Sequence, residues 1–365
     1  MGYSTAYARW VGVGPYYAMF PVQFVEEVIQ TYTWPGQRVL DPFAGRATSI
    51  FVGAHYGRPA IGIEINPIGW IYGKTKLDPA PIEELKMRLA EVVSLAKDTP
   101  YSKEDLPEFF HLCFSENSLR FLLTARNTLD WRDNKIDRTL MTLILIDLHG
   151  GRSRSFSNQM RQSKAMSPDY SIRWWRQHNL EPPEINPQEF LEKKINWRYA
   201  KGLPTVIESD VLLGDSSCLI QQIMHQTITR QQKPFTLLLT SPPYIGITDY
   251  HRDQWLRLWM LGGKALAARS SDKYKRDFSS PSTYKELLQT VFLQAAEVMA
   301  KDAVVYVRTD AREQTFELTR SALKLAFPAK HERIVDKPYL KHTQTALYGD
   351  RSSKSGEKDI ILTGS

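Results

Sequence analysis

Two periods of apolar residues alternate along this chain. Short, nearly continuous apolar runs occupy Arg38–Leu40, Pro59–Glu64, Thr236–Thr240 and Ala303–Val307, and Thr205–Leu213 reads as a further strand. Buried parallel strands read this way, and a polar last residue marks where they reach the edge of a sheet. Between these runs the apolar residues recur at helical spacing. Val22, Val25, Val28 and Ile29 form one stripe behind Pro21, which sits where a helix tolerates a missing N–H, and Trp34-Pro35-Gly36 stops it. Thr48–Tyr56, Ser216–Met224, Asp249–Leu261, Tyr284–Lys301 and 315–326 read as further helices. His331–Val335 and Asp359–Leu362 pair as a final hairpin. Alternation of this kind predicts a doubly wound, mostly parallel α/β sheet with an antiparallel hairpin at its end.

The alternation stops near Lys76 and resumes near residue 206. This divides the chain into 1–75 with 206–365, and an insertion over 76–205. Within the insertion, 81–98, Leu119–Leu129 and Thr139–Leu148 have helical spacing. Residues 150–201 are polar and aromatic, with ten Lys/Arg against five Asp/Glu. Arg152, Arg154, Arg161 and Lys164 lead this basic section, and Tyr170, Trp174, Trp175, Trp197 and Tyr199 are interleaved with it. Cations among aromatic rings suit phosphate contacts and base stacking. They equally suit a solvated helical insertion anchored by its tryptophans, and both readings stand at this point. Residues 264–276 carry Lys264, Arg269, Lys273, Lys275 and Arg276 against Asp272, and read as a basic surface loop.

Composition narrows the choice. The net charge of +7 and pI near 9.1 permit a polyanionic partner. No apolar run approaches the roughly 20 residues of a membrane span, and Met1-Gly2-Tyr3 opens no signal peptide, so neither membrane nor export is expected. Two cysteines, Cys113 and Cys218, cannot frame a disulfide scaffold or a zinc site and read as small core residues; no metal is expected.

The chemistry collects at the ends of the predicted strands. Asp41-Pro42-Phe43-Ala44-Gly45 follows the first, and its glycine lets backbone approach a ligand. A dinucleotide site would need Gly-x-Gly-x-x-Gly here; one glycine and an acid favour a neutral or cationic nucleoside instead. Glu64 ends the second strand, placed to accept bonds from ribose hydroxyls. Ser241-Pro242-Pro243-Tyr244 follows the strand at Thr236–Thr240. Two prolines make this a stiff turn with preset carbonyls. One hydroxyl, free carbonyls and one ring suit a flat, amine-bearing substrate.

These motifs resemble those of the S-adenosylmethionine-dependent DNA amino-methyltransferases, over residues 11–75 and 206–310. Asp41–Gly45 looks like their cofactor motif and Ser241–Tyr244 like their catalytic motif, while Gly12–Phe24, with Tyr16 and Phe20, looks like the segment that closes over the methionine end. The resemblance implies a Rossmann-like methyltransferase fold and S-adenosylmethionine as cofactor. It also implies cofactor contacts from Asp41, Pro42, Phe43, Gly45, Glu64, Asn66, Asp215 and Ser216. Ser241, Pro242, Pro243 and Tyr244 are its catalytic turn. The serine variant of that turn implies methylation of cytosine N4 in a flipped base of double-stranded DNA; adenine N6, an RNA base, or a catalytically silent DNA-binding homologue are the alternatives. Arg152, Arg154, Arg161, Lys164, Arg252, Lys273, Lys275 and Arg276 are the candidate DNA contacts. A bacterial, cytoplasmic, nucleoid-associated setting and a cognate restriction endonuclease complete the expectation. Two departures are visible. The glycine loop continues Arg46-Ala47-Thr48 where the family has Ser-Gly-Thr, and the cofactor motif precedes the catalytic one.

Overall fold

The structure is a computed structural model that describes residues 3–16, 19–98, 106–245, 250–267, 280–337 and 356–364. In chain order its elements are α1 (Ala6–Val11), α2 (Val22–Tyr32), β1 (Arg38–Asp41), α3 (Thr48–His55), β2 (Ala60–Glu64), α4 (Pro67–Leu77) and α5 (Ile82–Asp98). Then come α6 (Glu108–Cys113), α7 (Glu116–Thr128), α8 (Lys135–Ile146), α9 (Pro168–Gln177) and α10 (Pro187–Tyr199). The alternation resumes with β3 (Asp210–Leu213), α11 (Ser216–Thr229), β4 (Phe235–Thr240), α12 (Tyr250–Asp253), α13 (Trp255–Met260), α14 (Pro281–Ala296) and β5 (Met299–Asp310). The last elements are α15 (Glu313–Ala326), β6 (His331–Lys337) and β7 (Glu357–Thr363).

One sheet runs in the order β3-β2-β1-β4-β5-β7-β6. β1 to β5 are parallel, and β7 is antiparallel to both of its neighbours. The order reverses at β1 and β4, where a doubly wound sheet opens its ligand crevice beyond the carboxyl ends of the strands. The strands are apolar on both faces because both faces are covered. Val39, Leu237 and Leu239 point into the core shared with α2 and α3, whereas Leu40 and Leu238 point into the core under α11, α14 and α15. Val25 and Ile29 of α2 are fully buried, each stabilising the fold by about 1.5–3 kcal/mol. Among the described residues no helix is long and apolar enough to cross a membrane.

Several boundaries differ from the pattern. β3 starts at Asp210 rather than Thr205, because 205–207 are held by α3: His55 Nδ1 lies 3.0 Å from Thr205 O, and Ile207 N–H donates to Ala54 O at 3.1 Å. α14 stops at Ala296 rather than Lys301, because Val298 O accepts the Phe235 N–H at 2.9 Å and draws the chain into the sheet. The helix expected over 249–261 is two helices, α12 and α13, separated by Gln254. Cys113 is buried as expected, but Cys218 lies exposed on the first turn of α11. The insertion is helical, and its buried residues on α5 to α10 join the same cluster as α1, α2, α3 and α13.

Candidate active site

The loops leaving β1, β2, β3 and β4 are bonded to one another along one edge of the sheet. Asp41 ends β1 and is 1% exposed. Its carboxylate accepts the Phe43 N–H at 3.1 Å, the Ser49 hydroxyl of α3, and the Thr240 hydroxyl at 2.6 Å from the tip of β4. Thr240 is the residue before Ser241. A single carboxylate therefore holds the two loops that the sequence marks out, Asp41–Gly45 and Ser241–Tyr244, side by side. Burial pushes the Asp41 acid up to about 6, against the pull of its three donors toward the charged form.

Glu64, at the tip of β2, faces the same loop. It takes the Gly45 N–H at 2.7 Å and the Asn66 N–H at 2.8 Å, and the Tyr16 side chain hydrogen-bonds to it as well. Burial pushes this acid up to about 8 despite those donors. An ionised carboxylate has about four acceptor sites; three donors leave one for a ligand hydroxyl, and two if Tyr16 turns away. Asn66 caps α4 through the Ile68 N–H at 2.9 Å. α4 then passes so close that a Cβ at Gly69 would lie 2.5 Å from the Gly45 carbonyl oxygen and 2.9 Å from Glu64 Cγ. Gly45 itself sits at φ +54°, in the left-handed region.

The departure from the family loop has a structural answer. Ala47 holds φ +58°, the left-handed conformation for which the family uses glycine. Arg46 is 9% exposed and directs its guanidinium to the Gly14 carbonyl at 3.1 Å and the Thr48 hydroxyl at 3.3 Å. Burial lowers it to about 10. Lys76, fully buried, donates to the Arg46 carbonyl, and burial, with Arg46 beside it, lowers its pKa well below the usual lysine value. Both side chains are tied to loop backbone oxygens.

The third loop is tied in by Ser216, whose hydroxyl donates to the Pro42 carbonyl. Asp215 caps α11 through the Ser217 N–H at 2.9 Å. Phe43 is half-buried against the core under α11 and α14. Phe20 is half-buried against Phe24, ring centroids 5.3 Å apart, and Phe24 in turn sits under the Arg308 guanidinium at 3.5 Å. Two buried carboxyls at the tips of adjacent strands, an approachable Gly45, and an Arg46 guanidinium engaged by Gly14 and Thr48 make a donor set that fits a cationic sulfonium nucleoside.

In the turn after β4, Pro242 and Ile245 are buried while Ser241, Pro243 and Tyr244 are partly exposed. The Ser241 hydroxyl donates to the Tyr244 oxygen at 3.3 Å, and the Tyr244 hydroxyl donates to Glu357 Oε1 at 3.3 Å. Arg312 donates to the Ile245 carbonyl at 2.6 Å and is paired with Asp310.

The candidate nucleic-acid contacts are dispersed. Arg152 and Arg154 are exposed on the turn after α8, and Arg161 is partly exposed. Lys164 pairs with Asp253 at 2.5 Å and so joins the insertion to α12, just past the Ser241–Tyr244 turn; Arg252 is exposed beside it. Lys273, Lys275 and Arg276 lie outside the described residues. α9 adds a feature. Tyr170, Trp174 and His178 stack along its exposed face, with centroids 6.3 Å and 3.8 Å apart, and Arg173 and Gln177 are exposed on the same face.

Sequence reasoning missed Ser49, Thr240, Arg312 and Glu357. Ser49 and Thr240 carry a signal, hydroxyls flanking the two motifs. Glu357 carries none, since it lies 113 residues from Tyr244 along the chain.

Comparison with known proteins bears on this edge. Residues 4–68 match the DNA methylase family. The Type II methyltransferase M.BsoBI of Geobacillus stearothermophilus is 25% identical over 276 residues, covering 67% of this chain and 51% of that protein. The Type II methyltransferase M.MjaII of Methanocaldococcus jannaschii is 30% identical over 87 residues, 24% of this chain and 16% of that protein. The chain thus spans about half or less of the length of these relatives. Among solved structures, the rRNA methyltransferase aviRa of Streptomyces viridochromogenes aligns with 97% of this chain and 89% of its own at 10% identity and TM-score 0.34. TrmN of Thermus thermophilus aligns with 98% and 52% at the same identity and TM-score. By sequence the chain is therefore similar to DNA methylases over residues 4–68 and to Type II methyltransferases more widely.

Proposed function

We propose that this chain transfers a methyl group from S-adenosylmethionine to the N4 amine of a cytosine flipped out of double-stranded DNA. The observation that carries the reading is the bond between Asp41 and Thr240, which seats the Ser241–Tyr244 turn next to the Asp41–Gly45 loop. The cofactor supplies an electrophilic methyl. The chain's task is to prepare a poor nucleophile, because the lone pair of an exocyclic amine is delocalised into the base. Ser241 Oγ and the Pro242 carbonyl each accept one amino hydrogen, which turns the lone pair toward the methyl. Tyr244 packs against the base. Transfer is a direct displacement governed by orientation, with no covalent enzyme intermediate. Glu64 takes the ribose hydroxyls, and Tyr16 and Phe20 cover the methionine end. Extracting the base costs a few kcal/mol, offset by phosphate contacts from Arg152, Arg154 and the 76–205 insertion. The resemblance to Type II methyltransferases is what supports a restriction–modification setting, with a partner endonuclease, as part of this reading.

The test is incubation of the protein with labelled S-adenosylmethionine and unmethylated DNA, followed by nucleoside mass spectrometry. N4-methylcytosine is the expected product, and label on adenine or only in RNA would overturn the assignment. Ser241→Ala should slow transfer by about 100-fold or more, as loss of a preorganised hydrogen-bonding group does, with cofactor binding by calorimetry unchanged.

A further inference from the structure

The catalytic turn is joined to the carboxyl-terminal hairpin by a chain of three oxygens. Ser241 Oγ donates to Tyr244 Oη, and Tyr244 Oη donates to Glu357 Oε1, each at 3.3 Å. Glu357 is the first residue of β7, opposite Asp310 of β5 and Lys337 of β6 in the sheet register. Arg308 Nη1 lies 3.6 Å from its other oxygen. Arg308 is held in turn by Asp359 at 2.6 and 2.9 Å, and Asp359 also takes the Tyr306 hydroxyl at 2.8 Å. The acceptor end of the chain is therefore fixed by a braced network on two strands.

Each hydroxyl has one hydrogen and can give it only one way. An ionised Glu357 can only accept, so Tyr244 must point its hydrogen at Glu357. Ser241 is then free to donate to the Tyr244 oxygen, which leaves the serine lone pairs for the cleft. A protonated Glu357 reverses the chain: it donates to Tyr244, Tyr244 donates to Ser241, and the serine hydrogen is displaced toward the cleft. There it would meet the amine hydrogens that it is supposed to accept. We propose that Glu357 is a positioning residue that sets the hydrogen-bond direction of Ser241, and so decides whether the turn can receive an amine. The inference rests on the methyl-transfer reading of the turn. Burial raises the Glu357 acid above its ordinary range, with Asp359 and Asp310 also raising it and Arg308 and Tyr244 lowering it. No bond is made or broken at Glu357 itself; the proton that the methylated amine sheds leaves to water.

Two measurements on the full chain test this. The first needs no activity. Ultraviolet difference titration of wild type against Tyr244→Phe isolates the ionisation of one phenol. In Glu357→Gln that ionisation should move to lower pH, because a neighbouring negative charge has gone. No movement would remove the contact and the proposal with it. The second is the single-turnover transfer rate against pH. In wild type the rate should rise as Glu357 ionises and then level. In Tyr244→Phe and Glu357→Gln the rise should flatten and the rate on the plateau should fall roughly 10- to 100-fold, as for a lost hydrogen bond to a charged group. The double variant should be no slower than the slower single one. A wild-type pH profile in both single variants, or additive losses in the double one, would overturn the role. If the phenol shifts but wild type methylates no DNA, the methyl-transfer reading fails while the Ser241–Tyr244–Glu357 contact stands. Cofactor binding by each variant confirms that it is folded.

Discussion

Glu64 shows how much one residue's surroundings decide. Its carboxyl is buried among backbone donors and rises to about 8. In the cofactor-free protein an acid raised in this way contributes stability that is present below its unfolded value and is lost as pH rises through about 8. Ligand hydroxyls favour the ionised form, so binding expels a proton. Cofactor affinity should therefore climb with pH up to about 8, by at most about tenfold per pH unit, and level above it. Calorimetry across that range with wild type and Glu64→Gln checks this; the variant should bind more weakly above neutrality, with a flat profile. Gly69 offers a second residue-scale test. Alanine in a helix interior ordinarily gains about 1 kcal/mol over glycine. Here the added Cβ would strike the Gly45 carbonyl at 2.5 Å. Gly69→Ala should then push the Asp41–Gly45 loop aside and weaken cofactor binding by about tenfold or more, a loss of roughly 1.4 kcal/mol. A variant that is more stable and binds normally would show that the loop does not need α4 so close.

The elements divide into those that announce themselves and those that do not. β1, β2 and β4 are legible because a buried parallel strand is apolar on both faces, and each ends in the Asp, Glu or Thr that builds the site. The hairpin of β6 and β7 is legible from two short β-branched stretches, Ile334-Val335 and Ile360-Ile361. α9 and α10 are hidden in a section whose rings and cations fit two descriptions; in α9, Trp175 is 1% exposed in the insertion core, and its neighbour Trp174 is 41% exposed. The bonds from Asp41 to Thr240 and from Tyr244 to Glu357 span 199 and 113 residues, and no local pattern reports them. The proposed nucleic-acid contact can be tested on the exposed face of α9, where a ladder of rings has Arg173 and Gln177 beside it. Stacking of one base on an aromatic side chain is worth about 1–3 kcal/mol. Trp174→Ala should accordingly weaken DNA binding by roughly 5- to 150-fold, and Arg173→Ala should lower the salt slope of binding by about 1. Fluorescence anisotropy with a labelled duplex measures both, and affinities equal to wild type would take α9 out of the interface.

At the scale of the molecule, the insertion and one face of the seven-stranded sheet share one interior. The cluster that begins at Trp10, Val25 and Phe51 continues without a break through Leu85, Phe110, Leu140 and Trp175 to Trp255 and Trp259. Arg257 of α13 crosses this shared interior and is fully buried. Its guanidinium donates to Leu145 O at 2.8 Å, Gln254 Oε1 at 2.7 Å and Gln162 O at 2.6 Å, so one side chain stitches α8, the loop before α9 and the segment after the Ser241–Tyr244 turn. Burial lowers its pKa, and Tyr72 and the Asp147 carboxylate offset this only in part. The fold holds a costly charge here because three oxygens are satisfied by it. Arg257→Ala leaves those acceptors unpaired and opens a cavity, at a cost on the order of 3 kcal/mol or more. Because the interior is continuous, that cost falls on the whole molecule. Wild type should unfold in one transition seen alike by tryptophan fluorescence and far-ultraviolet circular dichroism, and Arg257→Ala should lower its midpoint by roughly 4 °C or more. An insertion with its own separate interior would instead melt alone, giving two transitions in the variant with only one of them moved.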